Sequence, residues 1–112
     1  MTWTIKFIPK IKKELRRLDK KDAKALLDFL EKEVLPLENP RALAIPLKKN
    51  LKEFWKFRVG DFRIIADIQD YELMILVVRV ANRKDVYTKF QKPEKQTKLI
   101  SFTDLKKNKN QS

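Results

Sequence analysis

The chain is 112 residues long, with 27 Lys and Arg against 15 Asp and Glu for a net charge of +12, and 43% of its residues are apolar. That length and apolar content suit one domain with one modest core, and so large a basic excess points to a polyanionic partner such as nucleic acid. Cysteine and histidine are absent, which excludes a disulfide framework and a thiolate metal site, leaves only carboxylates for zinc, and restricts proton transfer to Lys, Arg, Tyr, Asp or Glu.

The N-terminus M-T-W-T-I-K-F-I-P lacks an apolar signal core, and no run approaches the length of a membrane span. A soluble cytoplasmic protein with no membrane contact is therefore expected. Thr2 to Ile8 alternate, with Trp3, Ile5 and Phe7 on one side, and predict a short strand ending at Pro9. Ile11, Leu15 and Leu18 then recur at helical spacing, so a helix is expected over about Pro9 to Leu18 with Lys12, Lys13, Glu14, Arg16 and Arg17 on its outer surface. Asp19 is placed to cap a second helix, Asp22 sits in its first turn, and Ala23, Leu26, Leu27, Leu30 and Val34 form an apolar stripe up to Pro36. The result is a helical hairpin whose stripe packs on a sheet. Pro36 to Pro40 is a connector, and Arg41 to Asn50, interrupted by Pro46, is either irregular or an edge strand.

Trp55 to Arg63, W-K-F-R-V-G-D-F-R, reads as a hairpin. Gly60 and Asp61 are its only turn-type residues, and glycine in the first of two loop positions suits a type II′ turn. That turn pairs Val59 with Phe62, Arg58 with Arg63, Phe57 with Ile64 and Lys56 with Ile65. Trp55, Phe57, Val59, Phe62 and Ile64 then share one face, and Lys56, Arg58 and Arg63 share the other. Leu73 to Val80 is the next strand. With a three-residue loop at Asp70-Tyr71-Glu72, Gln69 faces Leu73, Arg63 faces Arg79, and the core side sets Phe62, Ile64, Ala66 and Ile68 against Val80, Val78, Leu76 and Met74. Arg79 joins the cationic face in that register, followed by Arg83. The tail from Gln91 to Ser112 holds six lysines and two acidic residues; most of it is expected to be mobile, while Ser101 and Asp104 can start a short helix and residues 99–105 can dock.

Like charges opposite each other in an antiparallel pair cost up to about 1 kcal/mol, so an Arg58/Arg63 pair wants a bound anion, most simply a phosphate. Several arginine forks around one phosphorus also stabilise the extra charge of a pentacoordinate transition state. A lysine among such cations holds its proton less tightly, and for a chain without histidine this makes Lys56 the candidate acid–base group. RNA brings its own nucleophile, the 2′-hydroxyl. Asp61, Asp67, Asp70, Glu72 and Asp85 are scattered rather than clustered, which disfavours metal-dependent nuclease chemistry and implies no cofactor. Tyr87 either stacks on a base or seals the sheet edge.

The strings P-L-K-K-N-L-K-E-F-W-K-F-R-V-G-D-F-R-I-I-A-D-I, from Pro46 to Ile68, and V-V-R-V-A-N-R-K-D-V-Y, from Val77 to Tyr87, resemble the RelE/ParE superfamily of bacterial and archaeal toxins. With the preceding strand and helices, the resemblance covers roughly residues 2 to 90. It implies an α+β fold with an N-terminal strand, a helical hairpin, a twisted antiparallel sheet and a short C-terminal helix or tail. The toxin domain would be residues 1–90, and residues 91–112 a basic tail, partly ordered at most. The RelE branch implies a type II toxin that cuts messenger RNA in the ribosomal A site by 2′-hydroxyl attack, without metal, and is restrained by a cognate antitoxin. Carried over, its active site falls on Lys56 as base, Arg58 and Arg63 on the phosphorane, Arg83 on the leaving group and Tyr87 on the substrate. Apart from that carry-over, Arg79 and Lys84 are expected as RNA-binding residues. Arg58 stands where lysine is common, and Asn82 where many relatives carry histidine. The alternatives are a ParE-like inhibitor of DNA gyrase and an inactive relative that only binds nucleic acid.

Overall fold

The computed structural model describes residues 2–88, 90–93 and 98–107. In chain order it contains β1 (Thr4–Phe7), α1 (Lys10–Arg16), α2 (Lys20–Phe29), β2 (Ile45–Pro46), β3 (Trp55–Val59), β4 (Phe62–Gln69), β5 (Met74–Asn82) and α3 (Phe102–Lys107), an α+β architecture. The sheet order is β1-β5-β4-β3-β2, with β1 parallel to β5 and every other pair antiparallel. Within Arg41 to Asn50, the edge strand is confined to the two residues of β2, flanked by short 3₁₀ turns.

The helical hairpin forms as its periodicity requires, with Ile11, Leu26, Leu27, Leu30 and Val34 buried. Asp19 occupies the N-cap of α2 and accepts the Ala23 N–H through its backbone carbonyl, but its side chain makes no capping bond. After Phe29 the helix widens into a π turn over Leu30–Val34, closed by Leu35 N–H to Leu30 O at 2.9 Å. Phe29 meets Phe57 edge-on, with ring centres 6.1 Å apart. The hairpin thus covers the Phe57/Ile64 face, and the Lys56/Arg58/Arg63 face is the opposite one.

The β3–β4 register is the one that the Gly60 turn predicts, from Val59↔Phe62 to Lys56↔Ile65. Gly60 has φ +58° while Asp61 stays at negative φ, the sign pattern of a type II′ turn. The β4–β5 register differs from expectation. The loop runs from Asp70 through Leu73, itself at φ +51°, so Gln69 pairs with Met74 rather than Leu73. A bulge then shifts the pairing between Ile65 and Ala66, leaving Ile65↔Arg79 and Arg63↔Ala81. Side chains alternate strictly along a strand, and an extra residue resets that alternation. The bulge lets Ile75, Val77 and Val80 all serve the face of Ala66 and Ile64, which an unbroken period of two cannot do.

The C-terminal piece docks. Phe7 and Ile100 exchange N–H···O bonds at 2.8 Å in both directions, which closes the free edge of β1. Phe102 stands edge-on to Phe7 at 5.2 Å, Leu105 is buried, and Lys106 reaches Glu31 at 2.7 Å. The expected capping box is present: Asp104 N–H donates to Ser101 Oγ, and Ser101 N–H donates to Asp104 Oδ2, both at 3.2 Å. The expected mobility of residues 94–97 and 108–112 lies outside the described residues.

Candidate functional site

Strand pairing sets the cations in rows. Arg58 and Arg63 are direct partners across the tight hairpin, and one row further in, Lys56 pairs with Ile65, which pairs with Arg79 on β5. Among the described residues Arg58 and Arg63 have no ion-pair partner. Arg63 Nη1 instead donates to Gly60 O at 2.9 Å and Phe62 O at 2.8 Å, which anchors its guanidinium over the turn.

Arg83 comes to the same turn from β5, its N–H donating to Asp61 O at 2.7 Å. Its Nε lies 3.9 Å from Asp61 Oδ1, and both side chains are exposed, a contact worth little in water. Beyond it, Lys84 N–H donates to Asn82 Oδ1 at 2.9 Å, which turns the chain out of β5 and leaves the Lys84 side chain in solvent. Tyr87, 46% exposed, follows in this turn. Lys56 Nζ lies 5.8 Å from the centre of its ring, a cation–π arrangement linking β3 to the end of the family-like segment.

The segment after β5 forms a strap over this second face of the sheet. Val86 is fully buried, Phe90 stands edge-on to Phe54 at 5.8 Å, and Lys92 pairs with Glu53 at 3.1 Å. On the same face Ile65, in one row with Lys56 and Arg79, is completely buried.

Arg79 does not join the open cationic surface. Its side chain is 13% exposed, and Nη1 donates to Glu14 Oε2 at 2.9 Å. Nε donates to Val86 O at 2.9 Å, and Nη2 to Asp85 O at 3.0 Å and Thr88 O at 3.1 Å. With four of its five N–H donors committed to internal acceptors, it keeps no free bidentate edge to offer RNA. Glu14, expected on the outer surface of α1, is buried, with its other oxygen accepting the Val80 N–H at 2.8 Å. That amide belongs to the stretch of β5 that extends past β1, and α1 covers it. The sequence did hold a signal, since Glu14 follows Ile11 by three positions and precedes Leu18 by four, on the apolar stripe.

A family model described as the ParE toxin of the type II toxin–antitoxin system parDE matches residues 5–87. The chain belongs to the RelE/ParE toxin superfamily. This type II toxin is 31% identical over 75 residues to the toxin RelE of Mycobacterium tuberculosis, covering 67% of the chain and 75% of that protein. It is 24% identical over 87 residues to toxin RelG of the same organism, covering 78% and 98%. Its fold is shared with the M. tuberculosis toxin–antitoxin complex RelBE2, at TM-score 0.68 and 22% identity over 74% of this chain and 100% of that one. The archaeal RelE–RelB complex of Pyrococcus horikoshii also shares it, at TM-score 0.53 and 24% identity over 74% and 97%. No helix among the described residues of the toxin is long and apolar enough to cross a membrane.

Proposed function

We propose that this toxin is a cytoplasmic, ribosome-dependent endoribonuclease that cleaves messenger RNA in the A site by attack of the 2′-hydroxyl on the adjacent phosphate. The observation that carries the reading is the Arg58/Arg63 pair, two arginines opposite each other in the hairpin with no ion-pair partner among the described residues, beside Lys56 in contact with Tyr87. Lys56 would take the 2′-hydroxyl proton as the new P–O bond forms. Arg58 and Arg63 would carry the added charge on the phosphorane oxygens, and as the P–O5′ bond breaks Arg83 would stabilise the charge on the leaving 5′-oxygen, which takes a proton from solvent to become a hydroxyl. Tyr87 would stack on or orient a base, and Lys84 would add a backbone phosphate contact.

A face of this charge in a growth-inhibiting protein needs a cover. A cognate antitoxin with an acidic, partly disordered segment fits it, and the complexes of structurally similar toxins support that partner. Inhibition of DNA gyrase is the second reading, favoured by the ParE description of the matching family model. Controlled expression followed by mapping of transcript ends separates the two. Breaks within translated frames, lost in Arg63→Ala, are the expected result. Intact transcripts with trapped gyrase–DNA complexes would overturn the nuclease reading.

A further inference from the structure

We infer that Arg79, clamped by Glu14, is a positioning residue that sets the place of Tyr87 over Lys56. The inference rests on the reading of Lys56 and Tyr87 as part of the site, but the placement itself is a separate physical claim. Among the described residues, Arg79 is the one side chain that bonds the backbone on both sides of Tyr87: its guanidinium donates to the carbonyls of Asp85, Val86 and Thr88. Among the described residues the other backbone bonds of the strap are local ones, Asp85 N–H to Asn82 O at 2.8 Å, Thr88 N–H to Asp85 O at 3.0 Å and Phe90 N–H to Tyr87 O at 3.3 Å, and Val86 adds a buried side chain; Arg79 is what ties this turn to the middle of β5.

The remaining corner of the guanidinium is held by Glu14, whose side chain is 4% exposed. Glu14 is itself fixed by Val80 N–H, so α1, the edge of β5 and the strap are joined through one buried carboxylate. On the sheet, Arg79 and Lys56 stand in one row with Ile65 between them. Adjacent strands lie about 4.8 Å apart, so the strap spans roughly 10 Å from its anchor on β5 to the lysine that Tyr87 meets on β3. A planar fork aimed at several carbonyls fixes both the position and the direction of the chain it binds, which a point charge cannot do.

Arg79→Lys tests this, because lysine keeps the charge facing Glu14 and loses the fork. The readout is NMR of the full chain: the ring-current shift that Tyr87 imposes on the Lys56 side chain, and amide exchange at Thr88 against exchange in β4 and β5. The expected result is loss of the Lys56 shift and faster exchange at Thr88, with β4 and β5 amides unchanged. An unchanged Lys56 shift and unchanged Thr88 exchange in folded Arg79→Lys would overturn the inference. Should that variant not fold, Glu14→Gln, which retains an oxygen for Val80 N–H, carries the same two outcomes. In an RNA cleavage assay, Arg79→Lys is expected to lower kcat by roughly 10²-fold with little change in KM, the scale of an ångström of misplacement. A wild-type chain that cleaves no RNA defeats the proposed function instead, and the NMR comparison still decides the role of Arg79.

Discussion

Arg58 and Arg63 are direct partners in the hairpin closed by the two-residue Gly60–Asp61 turn, and among the described residues neither meets a carboxylate. The pairing costs the isolated hairpin up to about 1 kcal/mol. On the proposed function, a phosphate bound there would turn that repulsion into two charge-assisted contacts. The carbonyls of Gly60 and Phe62 hold the Arg63 guanidinium over the turn.

Arg63→Ala and Arg83→Ala are each expected to relieve growth arrest, with transcript cleavage reduced by roughly 10²–10³-fold, as for removal of one preorganised donor to a transition-state charge. Melting curves should stay close to wild type, because both side chains make only exposed or turn contacts. Cleavage retained at wild-type rate in both variants would remove these residues from the chemistry.

Glu14→Ala is expected to destabilise the fold by about 3–5 kcal/mol, since it strands a largely buried guanidinium and leaves Val80 N–H without its acceptor. Glu14→Gln should cost less, because the amide oxygen still serves Val80. Urea unfolding of the two variants side by side measures the difference, and equal losses would show that the Val80 bond contributes nothing.

Gly60→Ala is expected to cost about 1–2 kcal/mol through backbone strain alone, the penalty of a left-handed conformation for an L-residue. The space is open: a Cβ built there meets no atom within 4 Å, yet φ is +58°. A lowered urea midpoint with an unchanged m-value fits that cause, and wild-type stability would show that the turn rearranges freely.

Asp70 supplies a pH signature. The Arg41 fork bonds both of its oxygens, at 2.9 and 2.8 Å, and holds the carboxyl below the ordinary aspartate range. A carboxyl bound less tightly to its proton in the folded state contributes stability above its unfolded value and loses it as pH falls through the folded one. The stability gap between wild type and Asp70→Asn should therefore be present at neutral pH, close in acid below the usual carboxylate range, and narrow with added salt, since the pair is exposed. A gap that does not vary with pH would assign it to packing of Arg41 against Trp55, whose ring centre is 5.3 Å away.

Local pattern alone settled the helical hairpin, the β3–β4 register and the gathering of Lys56, Arg58 and Arg63 on one face. A period of 3.6, a period of two and one glycine at a two-residue turn are short-range constraints that the chain obeys before it has any tertiary neighbours. The fate of Arg79 and Glu14 was decided by packing. The longer loop and the bulge together leave Arg79 on the face of Lys56 and Ile65, but there the strap supplies carbonyls to it and the edge of β5 beyond β1 needed an acceptor, so a charge pair that reads as two surface residues sixty-five positions apart closed into the interior instead. The placing of Tyr87 over Lys56 likewise waited for the strap to cross the sheet. Contacts between segments distant in sequence depend on register and on which backbone groups are left unpaired, and neither is written in any local window of residues.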